Sequence, residues 1–409
     1  MPILGEIANN LILPLRLRNF RVFFIGQSFS LLGTWIFVTA QRWLLYDLTN
    51  SAFFLGILGA IGSLPILLFS IPAGYLADHL PKRNLLLLSQ SVAALQAGIL
   101  TFLVVSGRVE VWHILSLAFL LGCTVALEFP VRHSFIFDLV GEDSLVTAIS
   151  LHSTAFNLAR FLGPAIAGFL MAHFGLWTCF LANTLSYLPI IFALAIIPLS
   201  ENHKGVSKKP WEGLKDGFIF VLNSRQIRRI LLLIATTSIF VLPYAVLLPA
   251  VVRENFGGGG KEFSFLMAAN GLGTLTGAIF MAAFGRNIPK DRFIPANMAL
   301  LCIYLGGMIL SKKFYLACVL LIMSGFHMVC MFTSANAFLQ LNSPDDLRGR
   351  ILSLFSLSFL GLFPLGSFWA GTTAQYFGPK WTLLAGLTIA LVLSIWQGLI
   401  PSLKKAENR

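Results

Sequence analysis

A handful of polar residues in this 409-residue chain have the type and spacing to handle charge. Asp78 stands one turn from the cations Lys82 and Arg83. Glu128 and Arg132 are spaced i,i+4 and so share a helix face. Ser153, Asn157, Arg160, Pro164 and Gly168 recur at three- and four-residue intervals, again one face of a helix. Gln27, Ser30, Thr34 and Gln41 fall within an arc of about 60° at 100° per residue. Ser324, His327, Met331 and Ser334 make a similar face, and an unperturbed imidazole such as that of His327 titrates near neutral pH. The chemistry these residues suggest is proton exchange, ion pairing and recognition of a polar or anionic solute. Catalytic triad spacing, a metal-ligand cluster and an ATP-binding domain do not appear in the pattern, so neither a metal nor a cofactor is expected. The Gly257–Gly260 run lacks a following Gly-Lys-Ser/Thr and a βαβ setting, and is expected to be a flexible turn.

The elements that must carry these residues follow from composition. Hydrophobic residues make up 57% of the chain and charged residues only 11%, against about 25% in an ordinary soluble domain. Mean hydropathy is +0.82. A soluble fold of this length needs a polar exterior that this sequence does not supply. A polytopic membrane protein remains, with lipid as the outer solvent. The formal net charge of +12 sits in short loops between apolar runs, which points to an anionic lipid leaflet and not to nucleic acid. The five cysteines fall inside apolar segments in odd number, without metal-ligand spacing, and are expected to act as small hydrophobes. Residues 1–21 show no signal-peptide pattern, so the first long helix is expected to be its own insertion signal.

About 20 apolar residues span a bilayer, and twelve segments meet that length: roughly 21–46, 51–76, 84–106, 111–131, 147–172, 177–199, 228–252, 263–285, 293–311, 314–339, 351–374 and 380–400. With both termini on the cytoplasmic side, 21 of the 29 Lys and Arg lie inside and 6 outside, while Arg42 and Arg160 fall within spans. That asymmetry sets the orientation. The polar stretch 200–227 separates two six-helix halves, 21–199 and 228–400, flanked by cytoplasmic tails 1–20 and 401–409. Trp211, Leu214 and Phe218 recur at helical spacing in that stretch and predict an amphipathic surface helix over 210–218, as a linker on the inner leaflet or as a regulatory binding site. The turns Gly74–Arg83 and Phe284–Arg292 are alike, and a six-plus-six repeat suits a transporter that rocks about a central site.

Gly74-Tyr-Leu-Ala-Asp78-His-Leu-Pro-Lys82-Arg83 resembles the signature loop of the major facilitator superfamily, with His79 where Arg is usual and Pro81 where Gly is usual. The likeness continues through Asn19-Phe20-Arg21, Gly33-Thr34-Trp35, Ala40-Gln41-Arg42-Trp43-Leu44, Phe129-Pro130-Val131-Arg132-His133, Asn157-Leu158-Ala159-Arg160, Leu347-Arg348-Gly349-Arg350 and Pro364-Leu365-Gly366-Ser367. These stretches resemble the enterobactin-exporter and macrolide-efflux subgroup. The resemblance implies that Asp78, Lys82, Arg83, Glu128 and Arg132 form a charge network at a cytoplasmic gate that latches the halves in the outward-facing state. Proton carriage is the alternative role for Glu128. Gly163-Pro164 with Gly168 resembles a relaxed antiporter motif, with Ala167 where that motif has a second glycine.

The expectation is an all-helical membrane protein of twelve transmembrane helices in two six-helix halves, probing a small-molecule substrate from a central cavity. Gln27, Thr34, Gln41, Asn157, Arg160 and His327 are its candidate lining. A charge near mid-membrane is costly, so Arg160 is either satisfied structurally by carbonyls or an acidic partner, or meets an anionic substrate. Arg42 is near enough to the outer end to snorkel. A membrane histidine such as His327 is either a packing residue or a titrating one. The expected function is proton-coupled export of a siderophore-like or drug-like molecule by a monomer in the cell (inner or plasma) membrane. Import of a small anionic solute, or a non-transporting receptor or lipid-handling role, are the alternatives.

Overall fold

A computed structural model of the protein describes residues 13–198, 214–286, 288–344 and 347–399. Among these, every regular element is helical. Lipid offers no hydrogen bonds, so a spanning segment must pair its own backbone N–H and C=O groups, and helices do so locally. The chain runs through α1 (Arg18–Thr49), α2 (Ala52–His79), α3 (Lys82–Val105), α4 (Val111–His173), α5 (Trp177–Ile196), α6 (Leu214–Asn223), α7 (Arg225–Thr236), α8 (Tyr244–Phe256), α9 (Gly260–Phe284), α10 (Lys290–Leu310), α11 (Phe314–Asn342), α12 (Arg348–Ser356) and α13 (Phe363–Leu399). Helix α6 is the described part of the linker helix and runs on to Asn223, past the expected 210–218, while residues 210–213, Trp211 among them, lie outside the described residues.

Among the described residues, ten helical runs are long and apolar enough to cross a membrane. Two are too long to cross once: Val111–His173 has 63 residues and Arg348–Gly398 has 51. At 1.5 Å per residue these would reach about 95 and 77 Å, against about 30 Å of hydrocarbon. Each is broken by a glycine. Gly141 has φ 71° and ψ −175°, and Gly378 has φ 81° and ψ 153°, conformations that a side chain disfavours. Where hydropathy leads to an expectation of twelve spans, the described residues thus show ten helical runs, two of them turned at a glycine. The Gly257–Gly260 run is the turn between α8 and α9: Gly257 closes α8 at φ 60°, and the Gly259 N–H donates to Glu262 Oε2 at 2.7 Å.

The chain forms two compact units. One draws on Met1–Thr49 and Ile61–Lys208, the other on Asn50–Ala60 and Lys209–Arg409. The start of α2 thus packs with the second unit, where a Cβ on Gly56 would meet the Gly371 Cα of α13 at 2.5 Å. Within each unit the helices approach at glycines, as membrane helices do when small residues let backbones touch. In the first, a Cβ on Gly26 of α1 would lie 2.8 Å from the Ile190 Cα of α5, and one on Gly122 of α4 would lie 2.3 Å from the Gly62 carbonyl of α2. In the second, Gly273 and Gly277 stand one turn apart on α9, where added Cβ atoms would lie 1.9 and 2.7 Å from the Ile322 and Phe326 carbonyls of α11. Gly325 of α11 answers against the Asn270 carbonyl, at 2.3 Å.

Two wide π-helical turns also lie in the second unit, at Thr237–Val241 between α7 and α8 and at Leu357–Gly361 between α12 and α13. They are joined directly, because Ser238 Oγ donates to the Phe359 carbonyl at 2.6 Å.

The seams predict opposite outcomes for one chemical change. Gly273→Ala inserts a methyl into backbone and should destabilise by about 1–3 kcal/mol through overpacking. Gly306→Ala meets nothing within 4 Å and should be neutral or stabilising, since Ala is the better helix former. Thermal unfolding of the two purified variants checks this; a lower midpoint for Gly306→Ala than for Gly273→Ala would contradict it.

Candidate functional site

Glu128 is the hub of the polar residues in the first unit. It sits on the part of α4 before Gly141, one helical turn ahead of Arg132, and Arg132 Nη1 donates to its Oε1 at 2.7 Å. Gln27 of α1 donates its Nε2 to the same oxygen at 3.3 Å. Side-chain exposures of 13% for Arg132 and 15% for Glu128 leave this pair only partly wetted. Desolvated pairs contribute little net stability, but losing one partner strands the other. Around the hub, Ser30 Oγ donates to Gln90 Oε1 of α3 at 3.2 Å, and Thr34 Oγ1 donates to the Ser30 carbonyl at 2.8 Å. Tyr187 of α5 is buried beside Thr34 and within electrostatic reach of Glu128. The polar face of α1 therefore finds polar neighbours on α3, α4 and α5 of its own unit, with Gln27 and Gln41 no more than 5% exposed. Gln41 Nε2 is buried without a hydrogen-bond partner.

The residues of the signature loop divide. The Asp78 side chain lies outside the described residues. Lys82 Nζ donates to Asp138 Oδ2 at 2.7 Å, in a pair whose side chains are 21% and 23% exposed. Arg83 Nη2 donates to the Ala195 carbonyl at 3.3 Å, where a cation suits the negative end of α5. Lys82 is thus tied to the approach to the Gly141 corner, and Arg83 to the end of α5.

On the part of α4 after Gly141, Arg160 places its guanidinium 5.5 Å from the ring centroid of Trp35 on α1. Phe156, one turn earlier, meets the same indole edge-on at 5.8 Å. Gly163 explains the closeness of the helices, since a Cβ there would fall 2.5 Å from Trp35 Cβ. Gly163, Pro164 and Gly168 are buried, while Phe156, Asn157 and Arg160 keep partial exposure. Asn157 Nδ2 donates to the Ser153 carbonyl at 2.9 Å. The result is a cation on an aromatic ledge, able to hold an anionic or aromatic group; a cation–π contact of this kind is worth about 0.5–2 kcal/mol.

In the second unit, His327 of α11 turns to α10. Its Nδ1 lies 2.7 Å from Asn297 Oδ1, which fixes Nδ1 as the donor, and its ring stacks on Tyr304 at 5.4 Å. Both of these partners lie on α10. A small hollow elsewhere in this unit is lined by Ser51, Phe54, Thr372 and Gln375, with Ser51 Oγ donating to Gln375 Oε1 at 3.0 Å.

Gln90, Tyr187, Asp138 and His152 join the site without having been singled out by spacing. Gln90 was detectable as a polar residue inside an apolar run. Asp138 and His152 had no such signal, because the groups they meet stand elsewhere in the chain: Lys82 opens α3, and Arg132 and His133 lie on the other side of Gly141 from His152. Among the described residues, no group of three or more His, Cys, Asp or Glu could hold a metal ion.

The Lys82–Asp138 pair yields a test. At its exposure it is worth less than about 1 kcal/mol, so Asp138→Lys should leave the unfolding midpoint nearly unchanged. Transport should slow, and Lys82→Asp combined with Asp138→Lys should recover part of the rate. A rate unaffected by Asp138→Lys would remove the pair from the transport cycle.

Comparison with known proteins places this geometry in a family. Residues 10–409 match the major facilitator family model described as transmembrane secretion effector. The staphyloferrin A transporter of Staphylococcus aureus is 30% identical over 367 residues, covering 87% of this chain and 90% of the relative. The multidrug efflux pump Tap of Mycolicibacterium fortuitum is 23% identical over 385 residues, covering 92% and 94%. Among solved structures, a bacterial homologue of the human lysosomal transporter Spinster superposes with a TM-score of 0.72 at 13% identity, over 93% of this chain and 96% of that one. A bacterial homologue of the iron transporter ferroportin gives 0.67 at 18% identity, over 94% and 99%. The chain belongs to the transmembrane secretion effector family of the major facilitator superfamily, and it is a multi-span membrane transporter, not an enzyme.

Proposed function

We propose that this protein is a secondary active exporter that moves an amphipathic organic molecule, siderophore-like or drug-like, outward in exchange for protons. The observation that carries the reading is its relation, over nearly its whole length, to a siderophore transporter and to a multidrug efflux pump. The 21-to-6 division of Lys and Arg supports a plasma-membrane protein with both termini in the cytoplasm. We take it to work as a monomer by alternating access.

In this reading Arg160 is the substrate contact, with Trp35 and Phe156 supplying aromatic surface and Asn157 and Thr34 the neighbouring polar groups. Gln27 and His327 tie together the helices that carry the pathway, and Gln41 lines it with a donor to spare. Glu128 and Arg132, with Asp78, Lys82 and Arg83, form the charges whose making and breaking gates the cytoplasmic side. Gly163, Pro164 and Gly168 let the second part of α4 bend and lie close to α1. An arginine suits the contact because its planar fork keeps its charge in lipid and presents five donors to an anionic group.

Everted vesicles energised with lactate should accumulate staphyloferrin A or the amphipathic anion carboxyfluorescein, and a protonophore should abolish the accumulation. Uptake confined to right-side-out vesicles would overturn export. Arg160→Lys keeps the charge but loses the fork, so affinity for the transported probe should fall about tenfold, or 1.4 kcal/mol. Arg160→Ala should lose more while reaching the membrane. Folded Arg160→Ala with wild-type affinity would remove Arg160 from the site.

A further inference from the structure

A second polar group in the first unit has donors to spare. Arg132 spends a single nitrogen, Nη1, on Glu128. Its Nε is buried with no hydrogen-bond partner. His152 Nε2 is also buried without a partner. His152 lies within electrostatic reach of both Arg132 and His133. His133 follows Arg132 in sequence and is packed edge-on against Phe129 at 5.1 Å.

The glycine corner creates the juxtaposition. Arg132 stands nine residues before Gly141 and His152 eleven after it. Along one straight helix they would be about 30 Å apart at 1.5 Å per residue. Because Gly141 leaves the helical conformation, both parts of α4 pack along α1, Glu128 at Gln27 and Arg160 at Trp35, and His152 comes within electrostatic reach of Arg132 and His133. One guanidinium and two imidazoles then come near one another, and the carboxylate beside them, Glu128, is bonded to the guanidinium alone. Buried donors ordinarily find acceptors, and an isolated buried cation is costly. The open edge of Arg132, Nε with its neighbouring Nη2, has the spacing to grip a carboxylate through two parallel hydrogen bonds.

We propose that Arg132, His133 and His152 form a binding subsite for a carboxylate of the transported molecule, which makes the substrate an organic carboxylate anion. The proposal rests on the transport reading for its role in the cycle, but its binding chemistry stands on these three side chains alone. Arg132 takes the carboxylate through its free edge. His152 and His133 donate ring N–H groups from the two sides of the corner. Glu128 holds Arg132 in place from the opposite edge and, by its own charge, keeps the grip weak enough to release.

Citrate serves as the probe, titrated into the purified full-length protein in phosphatidylcholine nanodiscs and followed by calorimetry. Wild type should bind citrate, and its trimethyl ester should not bind. His152→Leu should weaken citrate binding at least tenfold, with the unfolding midpoint unchanged. His152→Asn provides a smaller polar replacement if the leucine variant is unstable, and should also weaken binding. No citrate binding by wild type, or wild-type affinity in both His152 variants, would overturn the subsite and assign its donors to water. Loss of citrate binding when phosphatidylglycerol replaces phosphatidylcholine would also overturn it, by assigning the donors to a lipid headgroup. Efflux of the cationic dye ethidium in a protein that does not bind citrate would remove the subsite and leave export standing. Citrate binding without movement of any probe in either vesicle orientation would leave the subsite and remove export.

Discussion

Lipid will not hydrogen-bond to protein, and that constraint shapes this molecule more than any other. Each polar side chain carried into the bilayer must be met by another helix, by solute or by trapped water. Glu128 answers it most fully, accepting from Arg132 on its own helix and from Gln27 on α1. Ser30 with Gln90, and His327 with Asn297, answer it in pairs. Such bonds fix which helix lies beside which.

Helix contact supplies the complementary half. Hydrocarbon gives no hydrophobic drive between helices, so close packing must do the work, and the backbone can approach only where side chains are absent. The α2–α4 contact at Gly62 and Gly122, and the α9–α11 contact at Gly273, Gly277 and Gly325, use this device at corresponding places in the two units. Gly163 applies it at the site itself, pressing the second part of α4 onto Trp35 so that Arg160 rests above the indole. The glycine of the family-like Gly-Pro motif is thus a geometric requirement of the cation–aromatic contact.

Much of this was legible in the residues. Apolar length alone located the spans, and the Gly257–Gly260 turn followed from composition. The i,i+4 spacing of Glu128 and Arg132 anticipated their ion pair, because both sit on one helix. Partners on different helices were not legible. Asp138 as the mate of Lys82, Gln90 as the acceptor for Ser30, and His152 beside Arg132 depend on how helices fold back, and a single sequence carries no distance between segments. His327 shows the same limit: spacing put it on a polar face, whereas its bond to Asn297 turns it to a neighbouring helix. The membership of Asn50–Ala60 in the second unit arises likewise from packing at Gly56 and Gly371, where only backbone meets backbone.

The central claim is that substrate movement is chemically tied to proton movement through this set of intramembrane charges. Purified protein in liposomes loaded with a trapped pH dye and held acidic inside tests it most directly. Addition of carboxyfluorescein outside should raise the internal pH as the probe enters and protons leave, at a rate that falls with Arg160→Ala. Substrate entry that proceeds at full rate with no change in internal pH, and without response to a protonophore, would contradict the account.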